Sequence, residues 1–324
     1  MTRVLLTGAT GFVGSHVLRR LLKNEQVEVA VVLRPRSDLW RIQDAMNGVR
    51  RLVADLDDAA THQRALDDFG PDVVIHLAWD GVGNRFHDDE RQARNIERTL
   101  GLLRTAHRAG ARTFVGLGSQ AEYGPCQGPV AEDYPTRPAS LYGAAKLSTC
   151  RVAQRVCDLG GTRFAWLRLF SAYGPRDAPG CMVPYVIGAL LRRERPRLTE
   201  GRQLWDYLYV GDAAEAICLV AQTPGASGIF NLGSGSVEPV RGVVERIRDQ
   251  IDPSLPLEFG AVPYRPGQVM HLHSRIEKLR QATGWSPQVR LEEGIRRTVA
   301  WYRSVRNTAA LEPATTQEPP AEVC

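Results

Sequence analysis

A tyrosine and a lysine four residues apart are the side chains of this 324-residue chain best suited to acid–base chemistry. They are Tyr142 and Lys146 in the stretch YGAAK, which opens a predicted helix over Tyr142–Leu159. Residues i and i+4 of a helix lie on the same face, so the phenol and the ammonium are expected side by side. A neighbouring positive charge stabilises a phenolate and lowers the pKa of a tyrosine, which is about 10 in isolation. The pair therefore predicts a proton donor or acceptor that works near neutral pH.

A serine precedes this pair at the end of an apolar stretch. The sequence TFVGLGS, residues Thr113–Ser119, predicts a buried strand that ends at the serine. Ligands of open α/β sheets bind outside the carboxyl ends of the strands. We therefore expect the Ser119 hydroxyl to face the same ligand as Tyr142 and to hydrogen-bond a reacting carbonyl oxygen.

Strands and helices alternate in the first half of the chain. Apolar runs predict strands at Arg3–Gly8, Val27–Leu33, Arg50–Asp55, Asp72–Ala78, Thr113–Ser119 and Arg163–Leu169. The stretches between them predict helices at Phe12–Lys23, Ala59–Phe69, Glu90–Ala109 and Tyr142–Leu159. Strands with nearly continuous hydrophobicity are typical of a parallel sheet that is covered on both faces. The predicted fold class is therefore α/β, a Rossmann-type doubly wound parallel sheet.

The second half is richer in Gly and Pro and less regular. One strand is predicted at Gly228–Ser234, and helices are predicted at Pro184–Arg193, Gly211–Gln222, Val240–Gln250 and Leu291–Arg303. We expect a dinucleotide-binding domain over residues 1–170, to which residues 205–234 return, and a smaller mixed α/β substrate-binding domain over residues 171–305. Residues 306–324 are rich in Pro, Thr and Glu, which predicts a disordered tail.

The first predicted strand and helix are joined by a turn with three glycines in the pattern G-x-x-G-x-x-G. Gly8 would permit the tight turn, Gly11 the approach of a pyrophosphate, and Gly14 the close packing of helix on strand. The helix N-terminus would then offer N–H groups and a positive dipole end to the phosphates. The turn predicts a dinucleotide site, with contacts from Gly8, Thr10, Gly11, Phe12, Val13 and Gly14.

Arginine stands at the end of the second strand, where NAD-binding proteins usually have an acidic residue for the ribose. Arg34 takes that place, and Arg36 and Ser37 follow it. A guanidinium fits a 2′-phosphate, whereas a carboxylate would repel it. This favours NADP(H), with NAD(H) as the alternative if both arginines are only solvated. Further cofactor contacts are expected after the third and fourth strands, from Asp55, Leu56, Leu77 and Ala78.

These motifs together resemble the extended short-chain dehydrogenase/reductase family, in the branch of nucleotide-sugar epimerases, dehydratases and reductases. The resemblance rests on TGATGFVG, on HLA at His76–Ala78, and on Ser119 with Tyr142-x-x-x-Lys146. It extends over residues 3–304, because five further motifs follow in the family's order: NIERTLGLLRTA, LRLFSAYGPRD, LWDYLYVGDAA, FNLGSG and RPGQ. It implies that Ser119, Tyr142 and Lys146 form the catalytic triad and that Lys146 also holds the nicotinamide ribose. It also implies that Asn95 supports the proton relay by positioning its helix and a water.

Departures from the family's patterns indicate which reaction to expect. The 4,6-dehydratases of the family carry Asp-Glu directly after the hydroxyl residue of the triad, and this chain has Gln120 and Ala121 there. Alanine transfers no protons, glutamine does not titrate, and Glu122 is one position too late to face the same side. The family's UDP-glucuronate decarboxylases use a glutamate at the place of Ala121. Both reactions are therefore disfavoured.

Reductase and epimerase remain as the two main interpretations. Arg34 favours an NADPH-dependent ketoreductase of a nucleotide-linked 4-keto-6-deoxyhexose, as in deoxysugar biosynthesis. A nucleotide-sugar 4-epimerase of the UDP-glucose/galactose type is the alternative, because some epimerases of the family also use NADP. A non-catalytic NADP-sensing protein is a third interpretation, against which the intact Ser119, Tyr142 and Lys146 argue.

The expected substrate contacts also depart from the family. Ser171 replaces the asparagine of the family's NVYGP motif, and Trp205 replaces the arginine before Asp206. Trp205 would either stack on a base or fill the core, and Arg265 is the candidate phosphate clamp. The full set of expected substrate contacts is Ser119, Gln120, Ser171, Arg176, Trp205 and Arg265.

Composition sets the remaining expectations. The net charge of +5 is carried almost entirely by arginine, which reflects either a GC-rich genome or an anionic ligand. No basic run is interleaved with aromatic residues, no apolar run is long enough for a membrane span, and no His or Cys cluster has metal spacing. We therefore expect no nucleic acid, membrane or metal, but a cytoplasmic homodimer formed through helices Glu90–Ala109 and Tyr142–Leu159. His76, His87 and His107 are expected to be structural or solvent-facing.

Overall fold

Seven parallel strands form the central sheet of the protein. The structure is a computed structural model that describes residues 1–265 and 267–306. Its strands are β1 (Thr2–Thr7), β2 (Val27–Leu33), β3 (Arg50–Val53), β4 (Val73–His76), β5 (Thr113–Ser119), β6 (Pro129–Val130), β7 (Arg163–Leu169), β8 (Ala172–Tyr173), β9 (Arg197–Leu198), β10 (Leu204–Trp205), β11 (Leu208–Tyr209), β12 (Gly228–Leu232), β13 (Glu238–Pro239), β14 (Glu258–Phe259) and β15 (His271–Ser274). Its α-helices are α1 (Phe12–Leu21), α2 (Ala59–Phe69), α3 (Arg91–Arg108), α4 (Leu141–Gly160), α5 (Met182–Leu191), α6 (Val210–Gln222), α7 (Val240–Ile251), α8 (Glu277–Thr283) and α9 (Leu291–Arg306).

The central sheet is covered by helices on both faces. Its strand order is β12-β7-β5-β4-β1-β2-β3, and every neighbouring pair is parallel. Successive strand residues point to opposite faces, so Val4 and Leu6 pack with α1 and α6 while Leu5 packs with α2, α3 and α4. The predicted fold class, a doubly wound parallel α/β sheet, is confirmed.

A second core lies beneath α5, α7 and α9. It contains Val186, Ile187, Val243 and Ile295, all fully buried. Short strands border it in a four-stranded sheet, with the order β13-β10-β15-β6, and in the pairs β11·β8 and β14·β9. Strand β6 therefore joins this part from the first half of the chain, and β12 joins the central sheet from the second half. The predicted domain boundaries remain predictions, and the predicted tail lies outside the described residues apart from Arg306, which ends α9.

Prediction of element bounds succeeds best where buried residues follow a regular pattern. Strands β2, β5 and β7 and helix α2 begin and end at the predicted residues. The two-residue strands and α8 are not predicted, because so short a segment shows no periodicity.

The start of α4 is fixed by the segment that follows β4. The Ser140 side chain caps the helix. The Leu141 N–H donates to the Asp88 carboxylate at 2.9 Å, and the Tyr142 N–H donates to the His87 carbonyl at 2.7 Å. Orphan N–H groups of a helix start are thus satisfied by residues from another loop. That loop therefore sets where the tyrosine–lysine pair begins.

Candidate active site

Ser119, Tyr142 and Lys146 lie together where β5 ends and α4 begins. Their side chains are nearly inaccessible, with residue exposures of 8%, 7% and 4%. The Ser119 side chain lies near enough to the Tyr142 phenol to lower the pKa of that phenol. The Lys146 Nζ donates to the Leu117 carbonyl at 2.7 Å and lies 5.8 Å from the centroid of the Tyr142 ring. The structure thus brings the three predicted catalytic side chains into one cluster.

Burial dominates the protonation of this cluster. It raises the pKa of Tyr142 to about 12, against the lowering effect of the Ser119 side chain. It lowers the pKa of Lys146 to about 7, against the attraction of the Glu122 carboxylate. The expectation that Lys146 lowers the pKa of Tyr142 is wrong for this arrangement, because a low-dielectric environment disfavours both charged forms. At neutral pH the phenol carries its proton and can donate it.

The Glu122 carboxylate binds the backbone N–H of Ser119 and so fixes the end of β5. Its Oε1 accepts the Ser119 N–H at 3.1 Å and the Trp166 indole N–H at 2.8 Å. The Ser119 hydroxyl oxygen in turn accepts the Ala121 N–H at 3.1 Å. This is a capping box at the start of the short 3₁₀ helix Gln120–Glu122. Glu122 therefore points towards β7, as its offset by one position predicts.

Two rings that no sequence motif identified lie against the cluster. The Lys146 Nζ is 3.7 Å from the centroid of the Trp79 ring, and Trp79 meets the Tyr142 ring edge-on at 6.2 Å. The His87 ring stacks on Tyr142 with centroids 4.4 Å apart and planes 9° apart. His87, expected to be structural or solvent-facing, thus lies in the site itself. The only available signal was the position of Trp79 directly after the HLA motif.

Asn95 holds the loop after β4 rather than a catalytic side chain. Its Nδ2 donates to the Asp80 carbonyl at 2.8 Å, and its Oδ1 accepts the Asp80 N–H at 3.0 Å. The residue is 2% exposed. Both ends of the Asn95 amide bond the backbone of Asp80, so the side chain fixes the loop segment next to Trp79.

A buried chain of hydrogen bonds fixes the tautomer of His76. The Thr99 hydroxyl donates to the Asn95 carbonyl at 2.8 Å, so it accepts from His76 Nε2 at 2.9 Å. His76 Nδ1 then accepts from the Thr7 hydroxyl at 2.7 Å, and the Thr7 oxygen accepts the Ala78 N–H at 3.3 Å. Burial lowers the pKa of His76 to about 3, so the ring is neutral. His76 links β1, β4 and α3, which is a structural role.

The glycine turn forms a cradle at the N-terminus of α1. Gly8 has φ +73°, and a Cβ there would lie 2.6 Å from the Ala78 nitrogen; a Cβ at Gly14 would lie 2.0 Å from the Gly8 oxygen. At Gly11 the nearest heavy atom would be 3.2 Å away. Gly11 is exposed, and no side chain caps the helix there. The open turn therefore fits a dinucleotide pyrophosphate, and the half-buried Leu77 borders it.

The arginines after β2 are exposed beside this turn. The Arg34 N–H donates to the Ser37 hydroxyl oxygen at 2.9 Å, which shapes the bend after the strand. Within residues 1–265 and 267–306, neither Arg34 nor Arg36 forms an ion pair, so both charges can meet an anion. After β3, one Asp55 carboxylate oxygen accepts the Asp57 N–H at 3.0 Å.

Two of the expected substrate contacts have structural partners. Trp205 is 6% exposed and its indole N–H donates to the Val269 carbonyl at 3.0 Å, which favours the core-filling role over stacking on a base. Arg176 forms an ion pair with Asp44 at 3.0 Å, in the segment after β2. That pair engages Arg176 with the dinucleotide-binding side of the protein rather than with Ser119.

Three other expected contacts lie in separate segments of the chain. Gln120 is half-buried directly after Ser119, and Arg265 is half-buried in the segment after β14. Ser171 is buried, with 3% exposure, and its carbonyl accepts the Leu208 N–H at 2.8 Å. Of these three, Gln120 has the position in the chain nearest to the catalytic cluster.

Comparison with known proteins identifies the family. The model of the NAD dependent epimerase/dehydratase family matches residues 4–233. The chain belongs to this family, and it is an enzyme of the extended short-chain dehydrogenase/reductase type. In the described part of the chain, no helix combines the length and apolarity needed to cross a membrane.

Relatives match over almost their whole length. The dTDP-glucose 4,6-dehydratase 1 of Escherichia coli is 29% identical, with 93% of each chain covered. The UDP-glucose 4-epimerase of Thermotoga maritima, solved with UDP-glucose, is 26% identical with a TM-score of 0.85, covering 94% of this chain and 100% of that one. The UDP-glucose 4-epimerase of Thermus thermophilus, solved with NAD, is 29% identical with a TM-score of 0.82, covering 93% and 99%.

Proposed function

We propose that the protein is an NADPH-dependent ketoreductase of a nucleotide-linked 4-keto-6-deoxyhexose. The proposal is carried by the buried cluster of Ser119, Tyr142 and Lys146 together with the exposed Arg34 after β2. Burial raises the pKa of Tyr142 to about 12, so the resting site presents a proton donor. Reduction of a carbonyl consumes such a donor, whereas the first half of an epimerase cycle needs a base that removes the proton of an alcohol.

Ser119, Tyr142 and Lys146 each have a separate role in the proposed reduction. Ser119 donates a hydrogen bond to the carbonyl oxygen, and Lys146 holds the nicotinamide ribose. When bound, the reduced dinucleotide supplies a hydride, with its electron pair, to the carbonyl carbon. The electron pair of the broken C=O π bond takes the Tyr142 proton, which leaves an alcohol and a phenolate. The phenolate regains its proton from solvent.

Two features support NADPH over NADH as the cofactor. The family is NAD-dependent, yet the end of β2 carries two exposed arginines where an acidic residue would serve the ribose. Both guanidinium groups lack an ion-pair partner among the described residues, which suits a 2′-phosphate. The open turn at Gly8, Gly11 and Gly14 would take the pyrophosphate.

Elimination and decarboxylation are poorly supported. Gln120 and Ala121 stand where the dehydratases carry their acid pair. The nearby Glu122 is fully buried and bonded to β7, so it is no substitute. This leaves carbon–oxygen oxidoreduction as the chemistry of the cluster.

The relatives support a class of substrate. The Thermotoga maritima enzyme was solved with UDP-glucose. A nucleotide sugar is therefore the proposed substrate, with Ser171 and Arg265 as candidate contacts. Relatives of the UDP-glucose 4-epimerase type, 26% and 29% identical, make nucleotide-sugar 4-epimerase the second candidate function.

A homodimer is part of the proposal. Helix α4 exposes Val152 and Leu159, with 44% and 72% exposure, on a surface beside α3. Exposed apolar side chains on paired helices are suited to contact with a second copy. Light scattering after size exclusion measures the mass, and a monomer would contradict this part.

The test is turnover of purified protein with NADPH and a dTDP- or CDP-4-keto-6-deoxyhexose. Loss of NADPH absorbance that depends on the sugar supports the reductase. Tyr142→Phe should lower turnover by about 10²–10⁴-fold while cofactor binding persists. The matched control is Tyr134→Phe, a half-buried tyrosine outside the cluster. Interconversion of UDP-glucose and UDP-galactose without net NADPH loss would favour the epimerase.

A further inference from the structure

The loop between β4 and α3, residues 77–90, places an indole face on the buried ammonium. The Lys146 Nζ lies 3.7 Å from the centroid of the Trp79 ring, well within the range of a cation–π contact. The same Nζ donates to the Leu117 carbonyl at 2.7 Å. Lys146 is therefore held from two sides, by the end of β5 and by Trp79.

The loop is anchored firmly enough for this contact to be specific. The Trp79 indole N–H donates to Gln92 Oε1 at 2.8 Å. The Gln92 Nε2 donates to the carbonyls of Gly81 at 2.8 Å and Phe86 at 3.0 Å. Gln92 has no exposed surface. One buried amide thus ties the indole and two loop carbonyls to α3, which leaves the ring little freedom to turn away from Lys146.

The charged form of Lys146 needs support in this environment. Burial disfavours the ammonium and lowers the pKa of Lys146 to about 7. The charged and titratable groups that face Lys146 are Glu122 after β5, His76 on β4 and Tyr142 on its own helix. His76 is neutral at ordinary pH, and Glu122 is already bonded to β7. The quadrupole of an indole face adds attraction for a cation without requiring a further charge.

We propose that Trp79 is a positioning residue for Lys146, whose indole face holds the ammonium against the Leu117 carbonyl and stabilises its charged form. The proposal rests on the roles proposed above for Tyr142 and Lys146, but not on the identity of the sugar. It makes Trp79 act on catalysis through the lysine and not by contact with reacting atoms.

The decisive measurement is the titration of Lys146 by NMR. The chain has three lysines, Lys23, Lys146 and Lys278, so ¹³Cε-lysine labelling gives a spectrum that Lys23→Arg and Lys278→Arg variants assign. Trp79→Leu should shift the Lys146 midpoint to lower pH by about one unit. Trp79→Phe keeps a ring and should shift it by less. An unchanged midpoint in a folded Leu variant would overturn the proposal, whether or not the protein turns over any sugar.

A second measurement serves if Trp79→Leu does not fold. Incorporation of fluorinated tryptophan withdraws electron density from the ring and keeps its shape. The titration midpoint of Lys146 should then fall as the number of fluorine atoms on the indole increases. The fall should be smaller in Trp79→Phe, because that variant keeps only the other tryptophans, of which Trp166 has its ring centroid 6.0 Å from the Lys146 Nζ. Equal falls in both proteins would contradict a role for Trp79.

Kinetics separates positioning from a general loss of structure. In the active enzyme, Trp79→Leu should shift the pH dependence of kcat in the same direction as the NMR midpoint of Lys146. The pH dependence of Trp79→Phe should lie close to that of the wild type. An increase in KM alone, with an unchanged profile, would mean that Trp79 acts only as a wall of the binding cleft, and it would overturn the proposal.

Discussion

The carboxylate of Glu122 and the guanidinium of Arg168 form a fully buried ion pair, with 2.7 Å between Oε2 and Nε and no exposed surface on either side chain. The other carboxylate oxygen accepts the Ser119 N–H and the Trp166 indole N–H. One carboxylate therefore connects β7 to the candidate catalytic serine. This explains how an acidic residue lies next to the site without acting as the acid or base of an elimination.

Breaking this pair should be costly. Glu122→Gln keeps the shape but leaves the Arg168 cation uncompensated, so we expect the free energy of unfolding to fall by about 3–5 kcal/mol. The double substitution Glu122→Gln with Arg168→Met removes both charges, keeps an amide oxygen that accepts the Ser119 and Trp166 N–H groups, and should cost less than Glu122→Gln alone. Urea unfolding measures each variant, with the exposed Glu97→Gln as control. A Glu122→Gln variant as stable as the control would contradict the assigned role.

Two glycines of the first turn should respond differently to alanine. At Gly14 a Cβ would lie 2.0 Å from the Gly8 oxygen, so Gly14→Ala should destabilise the fold by about 1–3 kcal/mol. At Gly11 the nearest atom would be 3.2 Å away, so Gly11→Ala should fold but weaken dinucleotide binding about tenfold, equivalent to ~1.4 kcal/mol. Thermal unfolding and calorimetric titration with NADPH separate the two effects. Unimpaired binding by Gly11→Ala would place the phosphates elsewhere.

The charge after β2 should determine the choice of dinucleotide. Arg34→Asp removes a charge-assisted contact with the 2′-phosphate, worth about 1.5–3 kcal/mol, and should shift the ratio of NADPH to NADH affinity by about ten- to a hundred-fold. Arg195 is exposed in the segment between α5 and β9, so Arg195→Asp makes the same change of net charge outside the segment after β2 and should leave the ratio unaltered. Equal ratios in the two variants would contradict a contact between Arg34 and the 2′-phosphate.

A buried aspartate should give the protein a stability that declines as the pH rises from about 4 to about 7. Burial raises the pKa of Asp177 from 3.8 to about 7, against the hydrogen bond it accepts from the Ala178 N–H. Between those values the folded state binds more protons than the unfolded state, so stability falls as pH rises. Asp177→Asn removes this dependence, and its advantage over the wild type should grow to about 4 kcal/mol above pH ~7. Parallel stability curves from denaturant titrations at several pH values would contradict this.

The parts of the site that depend on neighbours along the chain could be predicted from the sequence. The turn at Gly8 and Gly14 and the pairing of Tyr142 with Lys146 follow from local geometry. The same holds for Ser119, because a strand end is visible in the pattern of apolar residues. Family membership followed from these motifs.

The parts that depend on tertiary contacts could not be predicted. Trp79 and His87 contact Lys146 and Tyr142 from a loop that is distant in sequence, and no periodicity along the chain predicts such contacts. The raised pKa of Tyr142 depends on how completely the fold excludes water from the phenol. The ion pair of Arg176 with Asp44 likewise joins segments that no periodicity relates.

The anchoring of the loop after β4 has a consequence for protein engineering. Its shape is dictated from outside, by Gln92 and Asn95 on α3. A chimera that imports this loop from a relative would need matching donors and acceptors on the helix, or the grafted rings would lose their orientation over the tyrosine and lysine. Redesign of substrate preference in this scaffold should therefore treat loop and helix as one exchangeable module.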